Sequence, residues 1–574
     1  MTTSKALYII VIIGIIVFFN CLFNNFVYDD IKYIQQNTQI HNWDFNFIIG
    51  QSLFNGTGQY RPIPAFYFTA LYSIFGEITF FYHIIQLILH IGIAILLFFL
   101  LKKFFSSTLS LFLSLVFLVH PIQVESVSYI SSVGNLLFFL FGTLALFLSL
   151  SNEISRSRLV NICLLLLFSF LTKETGFLFL FIVMCYRIIF KKKNIRFFLL
   201  GGLVTVLVYF FIRFVIGEVY FGKFDIIPMH RLTFGERLIN IPAIIFYYLK
   251  TFIFPLHLAI LQNWVVDAID LSHFYYPLFI DLLFFILVGF LGIYLYKKKR
   301  EEFKTYLFFL LWLVSGILFH SQILPLDMTV ADRWFYFPIV GLLGIGAVGF
   351  TSLKNILTKR SNLSRPAVVG GFMVCLFLIA SLSLRTIIRN TNWTDQRTLL
   401  MHDIAVSDDY SKEDLLAVYF LHDKQYDLAI THMTKSIELN PVSVNINNLG
   451  TIYQLKGDYK KAKEIYYEAL KLGQNSNSSY IYINLANLYT YHDDPKFAIP
   501  ILKDKILPIY PNNADFWLML AIAEYKVHNQ VEALEAIRKA LTLSSNPNIL
   551  SIHNLIINKG PANVITQNDP GFTD

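Results

Sequence analysis

Long apolar runs alternate with short polar connections from the N-terminus to Arg389, and beyond it apolar positions turn periodic instead of continuous. A run of about 20 apolar residues crosses a hydrocarbon core of about 30 Å as one helix. The pattern predicts eleven spans: 6–26, 79–101, 107–128, 132–150, 159–172, 176–190, 196–216, 274–296, 304–323, 333–351 and 367–388. The expected fold is therefore all-α. A polytopic membrane helix bundle occupies 1–390, followed by a linker over 391–409, soluble helical repeats over 410–557, and a disordered tail over 558–574.

Charge orients the bundle. The net charge of +8 is carried largely by cations at alternate connections: Lys5; Lys102 and Lys103; Arg156 and Arg158; Lys191, Lys192, Lys193 and Arg196; Lys297 to Arg300; Lys354, Lys359, Arg360 and Arg365. Positive loops stay in the cytoplasm, so this charge is a topology signal and lipid contact, not a nucleic-acid footprint. The apolar segment 238–258 would place Lys297 to Arg300 outside if it were a span, and it is read as a re-entrant or interfacial element. An odd span count puts the N-terminus inside and the repeats outside. The first run is too long for a signal h-region and lacks a small-x-small site before Asp29, so it reads as a retained span. Composition agrees: 56% of residues are hydrophobic and 15% charged, against roughly 25% charged in soluble domains. Cys21, Cys163, Cys185 and Cys375 all sit in apolar runs and form no disulfide or metal framework.

The same orientation gathers polar residues on the outer face. Asp29 and Asp30 follow the first span; one can act as a general base while the other orients it or binds elsewhere. Alternatively both are a solvated helix terminus. Arg61 in QYRPIP and Arg333 in ADRWFYFP lie outside against the charge bias. Either contacts lipid headgroups or grips phosphate through the guanidinium fork. His83 and His90 share a helix face at seven-residue spacing, which suits structural hydrogen bonding better than metal ligation. His120, Glu125 and Asn135 suggest a polar-lined cavity, and Lys173 with Glu174 makes an outer hairpin that could be a plain ion pair. Asp332 opens a span beside Arg333. An acid with several cations fits transfer from a lipid-phosphate donor, where fixed cations stabilise the departing phosphate. No GxGxxG or GxxxxGK[ST] nucleotide loop is present.

The C-terminal part repeats at about 34 residues: L-G-x-x-Y from Leu449 with Ala462, Tyr466 and Ala469; L-A-x-x-Y from Leu485 with Ala498; W-x-x-L-A from Trp517 with Ala533, Ile537 and Ala540. A weaker unit carries Ala417, Phe420, Ala429 and Pro441. Small residues where paired helices touch are the tetratricopeptide pattern, which builds a solenoid with a concave face for peptide or protein.

FVYDDIKYI, GQYRPIPAF, FFYHIIQLILH, VHPIQVESVSYI, LTKETG and ADRWFYFPIVG, in this order and followed by such repeats, resemble the transmembrane and tetratricopeptide-repeat O-mannosyltransferases and their bacterial relatives, of the GT-C class. The resemblance covers nearly the whole chain. It implies a polyprenyl-phosphate sugar donor, mannose by analogy, and Ser or Thr hydroxyls of exported proteins as acceptors, presented by the repeats. It implies Asp29 as base with Asp30 beside it, Arg61, Lys173 and Arg333 facing the donor phosphate, and Glu125 and Glu174 shaping the site. The chain departs from the family at Gly134 and Asn135, where a basic and an acidic residue are usual. No cofactor is expected; the acidic pair could hold a divalent ion, but no ligand spacing demands one. The implied location is a bacterial inner membrane with the repeats on the periplasmic or extracellular side. Two other readings stay open: a lipid or oligosaccharide ligase of the same class, and a non-catalytic scaffold.

Overall fold

The computed structural model describes residues 2–50, 58–220, 227–360, 365–472 and 478–558. The expected tail lies almost wholly outside them. Contacts divide the chain into two units, Met1–Ser407 and Asp408–Asp574.

The first unit is built of helices; among the described residues one isolated β-bridge pairs Gln262 with Val330. Each of the eleven predicted spans corresponds to helix. Among the described residues, seven helices are long and apolar enough to cross a membrane: Thr3–Phe23, Thr79–Leu101, Ile130–Ser149, Ile195–Ile216, Leu271–Lys298, Arg300–Phe319 and Gly370–Thr391. The run 107–128 is not straight; Ser107–Val119 and Pro121–Ser128 meet at 52°. Pro121 explains the break, since a proline lacks the N–H that would continue the ladder and disfavours helix in the residue before it. The remaining three are shorter or less apolar helices: Arg156–Thr172, Phe177–Ile189 and the apolar part of the helix after Phe337, Pro338–Lys354. At about 1.5 Å per residue the two of 17 and 13 residues are shorter than the seven, whereas the last belongs to a helix of 23 residues, Pro338–Arg360. Segment 238–258 contains most of a helix, Phe234–Ile253, started by a Thr233–Glu236 capping box and interrupted in composition by Asn240 and Pro242.

Helices approach closely through glycine. A side chain on Gly142 would overlap the Phe179 ring, and one on Gly341 would overlap the Leu313 backbone. Small residues at such crossings are the general device for helix packing in lipid, where no hydrophobic drive joins helices. On one face of the bundle the segment after the first span folds over the helix ends. Phe26, Ile34, Ile40 and Phe47 pack with Phe68, Tyr82, Ile130 and Val133, which fixes the loop holding Asp29 and Asp30. The same loop is tied to the end of the last span: Asn25 N–H donates to Thr394 O at 2.9 Å and Tyr28 N–H to Gln396 Oε1 at 3.4 Å. Within the stretch 391–409, Gln396–Val406 is a helix whose Leu399, Leu400 and Asp403 are buried.

The second unit is a series of helical hairpins: Tyr410–His422 with Tyr426–Leu439, Ser443–Lys456 with Tyr459–Leu472, and Ala514–Lys526 with Gln530–Leu543, closed by Pro547–Ile557. Ala462, Ala469, Ala486, Ala498, Ala521, Ala533 and Ala540 are fully buried where helices touch. The third hairpin, opened by Ser479–His492, has a broken second helix of short pieces, Pro495–Phe497, Ala498–Ile501 and Leu502–Ile506, the last π-type with Leu507 N–H donating to Leu502 O at 2.9 Å. Pro495 and Pro500 cannot donate to a continuous ladder.

A Cβ on Gly450 would stand 2.6 Å from Tyr466 Cε1. That ring cannot slide freely, because the Tyr466 hydroxyl donates to Gln454 Oε1 at 2.8 Å. Gly450→Ala is expected to destabilise the array by about 1–3 kcal/mol, read as earlier melting of the repeats in thermal unfolding or limited proteolysis.

Candidate functional site

The two neighbouring aspartates sit in different environments. Tyr28 just before them holds a left-handed backbone, φ 52°, a conformation that costs a non-glycine residue energy and persists only where its surroundings enforce it. Asp30 is fully buried. Its Oδ1 accepts from Ser131 N–H at 2.6 Å and Ser131 Oγ–H at 2.5 Å, and its Oδ2 accepts from Val27 N–H at 3.2 Å. Asp29 is half-buried, and its Oδ2 accepts from the Tyr129 hydroxyl at 2.6 Å. Tyr129 is itself held between Trp393 and Tyr28, ring centroids 5.6 and 6.2 Å away. Burial pushes the Asp29 carboxyl up to about 6; the Tyr129 bond and the charges of Arg333 and Lys32 restrain the rise, and Asp327 adds to it. Burial likewise pushes Asp30 up to about 7 against its hydrogen bonds.

Cations stand around this loop. Arg333 donates its N–H to Glu125 Oε2 at 2.8 Å and pairs through its guanidinium with Glu125 Oε1. Glu125 is buried and spends both oxygens on Arg333. Arg61 bonds Glu174 Oε2 at 3.1 and 3.3 Å, and Arg213 lies 3.8 Å from Glu174 Oε1. Burial opposes ionisation of Glu174, but Arg61 and Arg213 hold its carboxyl below the ordinary range. Lys173 Nζ donates to Asn135 Oδ1 at 2.6 Å, and Asn135 Nδ2 donates to Ser132 Oγ at 2.7 Å. Burial, then repulsion from Arg61 and Arg333, pushes Lys173 down to about 7, with Asp327 and Glu174 partly offsetting. Mutual electrostatic influence thus joins Asp29, Arg61, Lys173, Arg333 and Glu174 in one polar cluster. Lys173, with its ammonium destabilised by neighbouring cations, gains most from an arriving anion.

The other residues singled out in the sequence lie elsewhere. His83 Nε2 meets Asn24 O at 3.1 Å, and His90 meets the Tyr336 hydroxyl at 2.9 Å and Leu118 O at 3.0 Å. His120 meets Phe252 O at 3.0 Å, accepts from Ile122 N–H at 3.2 Å and stacks on Phe252. These imidazoles fasten helices to one another. Asp332 is buried against Tyr247, whose hydroxyl donates to it, and Gln262 Nε2 donates to that hydroxyl at 2.7 Å. Burial and nearby Glu125 push the Asp332 carboxyl up. Among the described residues no three His, Cys, Asp or Glu side chains form a metal cage. A cavity of about 480 Å³ opens beside the loop, walled by Phe23, Phe26 and Phe80 and by the Gln35–Glu77 pair.

Sequence reasoning passed over Tyr129, Asp327 and Arg213. Asp327 was visible in the same outer turn as Arg333. Arg213, inside a predicted span, was a signal too, since an intramembrane arginine needs partners; here they are Glu174, the Tyr209 hydroxyl at 3.0 Å and Val219 O at 3.2 Å. Tyr129 carried no pattern that distinguishes it from the other 31 tyrosines of the 32 in the chain.

Fold and site together define a class: an integral membrane protein of many helices, with an acid-and-cation cluster on one face and an array of helical hairpins after it. The family model described as Tetratricopeptide repeat matches residues 445–475. The chain resembles protein O-mannosyl-transferases of animals. It is 24% identical to Protein O-mannosyl-transferase TMTC3 of Homo sapiens, covering 94% of this chain and 64% of that one. With the Mus musculus protein of the same name it shares 23% identity, covering 92% and 63%. With Protein O-mannosyl-transferase F38B6.6 of Caenorhabditis elegans it shares 24%, covering 70% and 58%. The chain spans less than two thirds of the length of these curated relatives.

Proposed function

We propose that this chain is a membrane glycosyltransferase that moves a sugar, mannose by analogy with its relatives, from a polyprenyl-phosphate donor to Ser or Thr hydroxyls of exported proteins. The observation that carries the reading is the half-buried Asp29 carboxylate, oriented by Tyr129 and influenced by Arg333 within a cluster that also holds Arg61 and Lys173. Asp29 takes the proton of the acceptor hydroxyl as its oxygen attacks the anomeric carbon. The bond from that carbon to the donor phosphate oxygen breaks, and polyprenyl phosphate leaves with the electron pair. Arg333, Arg61 and Lys173 stabilise the charge it gains. Glu125 and Glu174 hold two of those cations in place, and Asn135 holds the third. The side bearing Asp29 is extra-cytoplasmic on the charge pattern of the loops. The last span ends on the same face, because Thr394 bonds Asn25.

Transfer from defined polyprenyl-phosphate sugars to Ser/Thr peptides by the purified protein, with products weighed by mass spectrometry, tests the reading. A sugar found only on lipid, or none transferred, overturns it. The rate should follow a bell. It rises with pH as Asp29 ionises near 6 and falls as Lys173 loses its proton near 7 in the free enzyme. In Tyr129→Phe, Asp29 loses a hydrogen bond that favours its charged form, so the acid limb of kcat/KM moves up by about one pH unit while the alkaline limb stays.

A further inference from the structure

The cavity beside the aspartate loop contains no group that the proposed transfer uses. It lies at the outer end of two spans, where Thr3–Phe23 ends and Thr79–Leu101 begins. Phe23, Phe26 and Phe80 wall it, with the Phe23 and Phe80 ring centroids 6.2 Å apart. Its rim is apolar and open. Phe23 and Ile78 are 63% and 57% exposed, and Phe19 sets its ring edge-on against Phe23 at 5.5 Å. Apolar side chains left open at the end of a span face lipid chains.

Within this apolar frame stands one acid. Gly76, at φ 54°, turns the chain and donates its N–H to Tyr72 O at 2.8 Å, which sets Glu77 at the cavity wall. Glu77 Oε2 accepts from Gln35 Nε2 at 3.1 Å, and the Tyr72 hydroxyl lies against the same carboxylate. Both partners are neutral. Among the described residues no Lys, Arg or His nitrogen makes an ion pair with Glu77. The carboxylate repels an anion, and a single acid is too few ligands for a divalent ion. An ammonium group suits it: the carboxylate attracts its charge, and phenyl rings attract it through their negative faces. The volume of about 480 Å³ admits a lipid headgroup, with acyl chains running along Phe19, Phe23 and Ile78.

We propose that this cavity holds the ammonium headgroup of an aminophospholipid, with Glu77 as its counter-charge and Phe23, Phe26 and Phe80 as its walls. Phe26 and Gln35 flank Asp29 and Asp30 in the chain, so the bound lipid braces the aspartate loop from outside. The site does not depend on the proposed transferase activity.

The test uses the purified full chain in detergent, without any sugar donor. Three lipids with the same fluorescent acyl chain, headed by phosphoethanolamine, phosphoglycerol or a neutral glucose, are titrated by anisotropy. The wild-type protein should bind the phosphoethanolamine lipid saturably and at least about tenfold more tightly than the other two. That order runs against the net charge of +8, which favours the anionic phosphoglycerol lipid. Glu77→Gln, which keeps an acceptor oxygen for Gln35, should bring the phosphoethanolamine lipid down to the level of the others while melting is unchanged. Phe80→Leu should weaken it by about threefold and leave it the preferred lipid. Equal binding of the phosphoethanolamine and phosphoglycerol lipids, equal or tighter binding of the glucose lipid, or undiminished preference in Glu77→Gln overturns the proposal. Full displacement by free ethanolamine at the same concentration would assign the cavity to a soluble amine and overturn it as a lipid site. The three-lipid comparison on wild type needs no variant to fold.

Discussion

Asp29→Asn is expected to lower sugar transfer by about 10²–10⁴-fold, the range a positioned general base contributes, in a protein that still inserts and melts normally. Asparagine has nearly the same shape and can still accept the Tyr129 hydrogen bond now made to Oδ2 at 2.6 Å. It cannot take a proton from an attacking hydroxyl. Because Asp29 is half-buried and makes this one side-chain contact with Tyr129, little of the loop depends on its charge. Single-turnover assays at saturating donor separate the effect on chemistry from binding. A variant that transfers sugar at more than about a tenth of the wild-type rate would remove Asp29 from the base role.

Asp30→Ala should fail in a different way. Its carboxylate receives Val27 N–H, Ser131 N–H and Ser131 Oγ–H while fully shielded from water. Alanine leaves these donors unmet, at about 1–3 kcal/mol for each that stays buried, so a loss of about 2–5 kcal/mol is expected. It would be read as a lower melting temperature and faster proteolysis within 26–48, with activity lost as a consequence. Asp30→Asn keeps an acceptor oxygen and should recover part of the stability. If Asp30→Ala melts like wild type yet transfers no sugar, Asp30 belongs in the chemistry and the division of labour between the two aspartates is reversed.

The division between them was not legible in the sequence. Two adjacent carboxylates after one span look alike until the chain brings Ser131 to one and Tyr129 to the other, each about a hundred residues away. The helical character was legible because bilayer-length apolar runs and 34-residue repeats are local signals. Helix length was less so: residues 177–189 are as apolar as a longer span, and only the fold shows that they stop there. The 52° bend at His120–Pro121 had its proline in plain view, but the apolar run on either side masked it. Pairings such as Arg333 with Glu125, 208 residues apart, leave no trace in spacing, since each is set by tertiary packing. His83 and His90, expected from the sequence to make structural hydrogen bonds, meet Asn24 O and the Tyr336 hydroxyl with Leu118 O respectively.

The ties from Asn25 to Thr394 and from Tyr28 to Gln396 join the first and last parts of the membrane unit across some 370 positions. At roughly 5–20 residues per second, a ribosome needs about 20 to 70 seconds between making the two ends. Throughout that interval the loop bearing both acids lacks these two ties and is held only by its contacts with residues 68–133, so a chain stalled before its final crossing carries that loop packed but not yet fastened at its start.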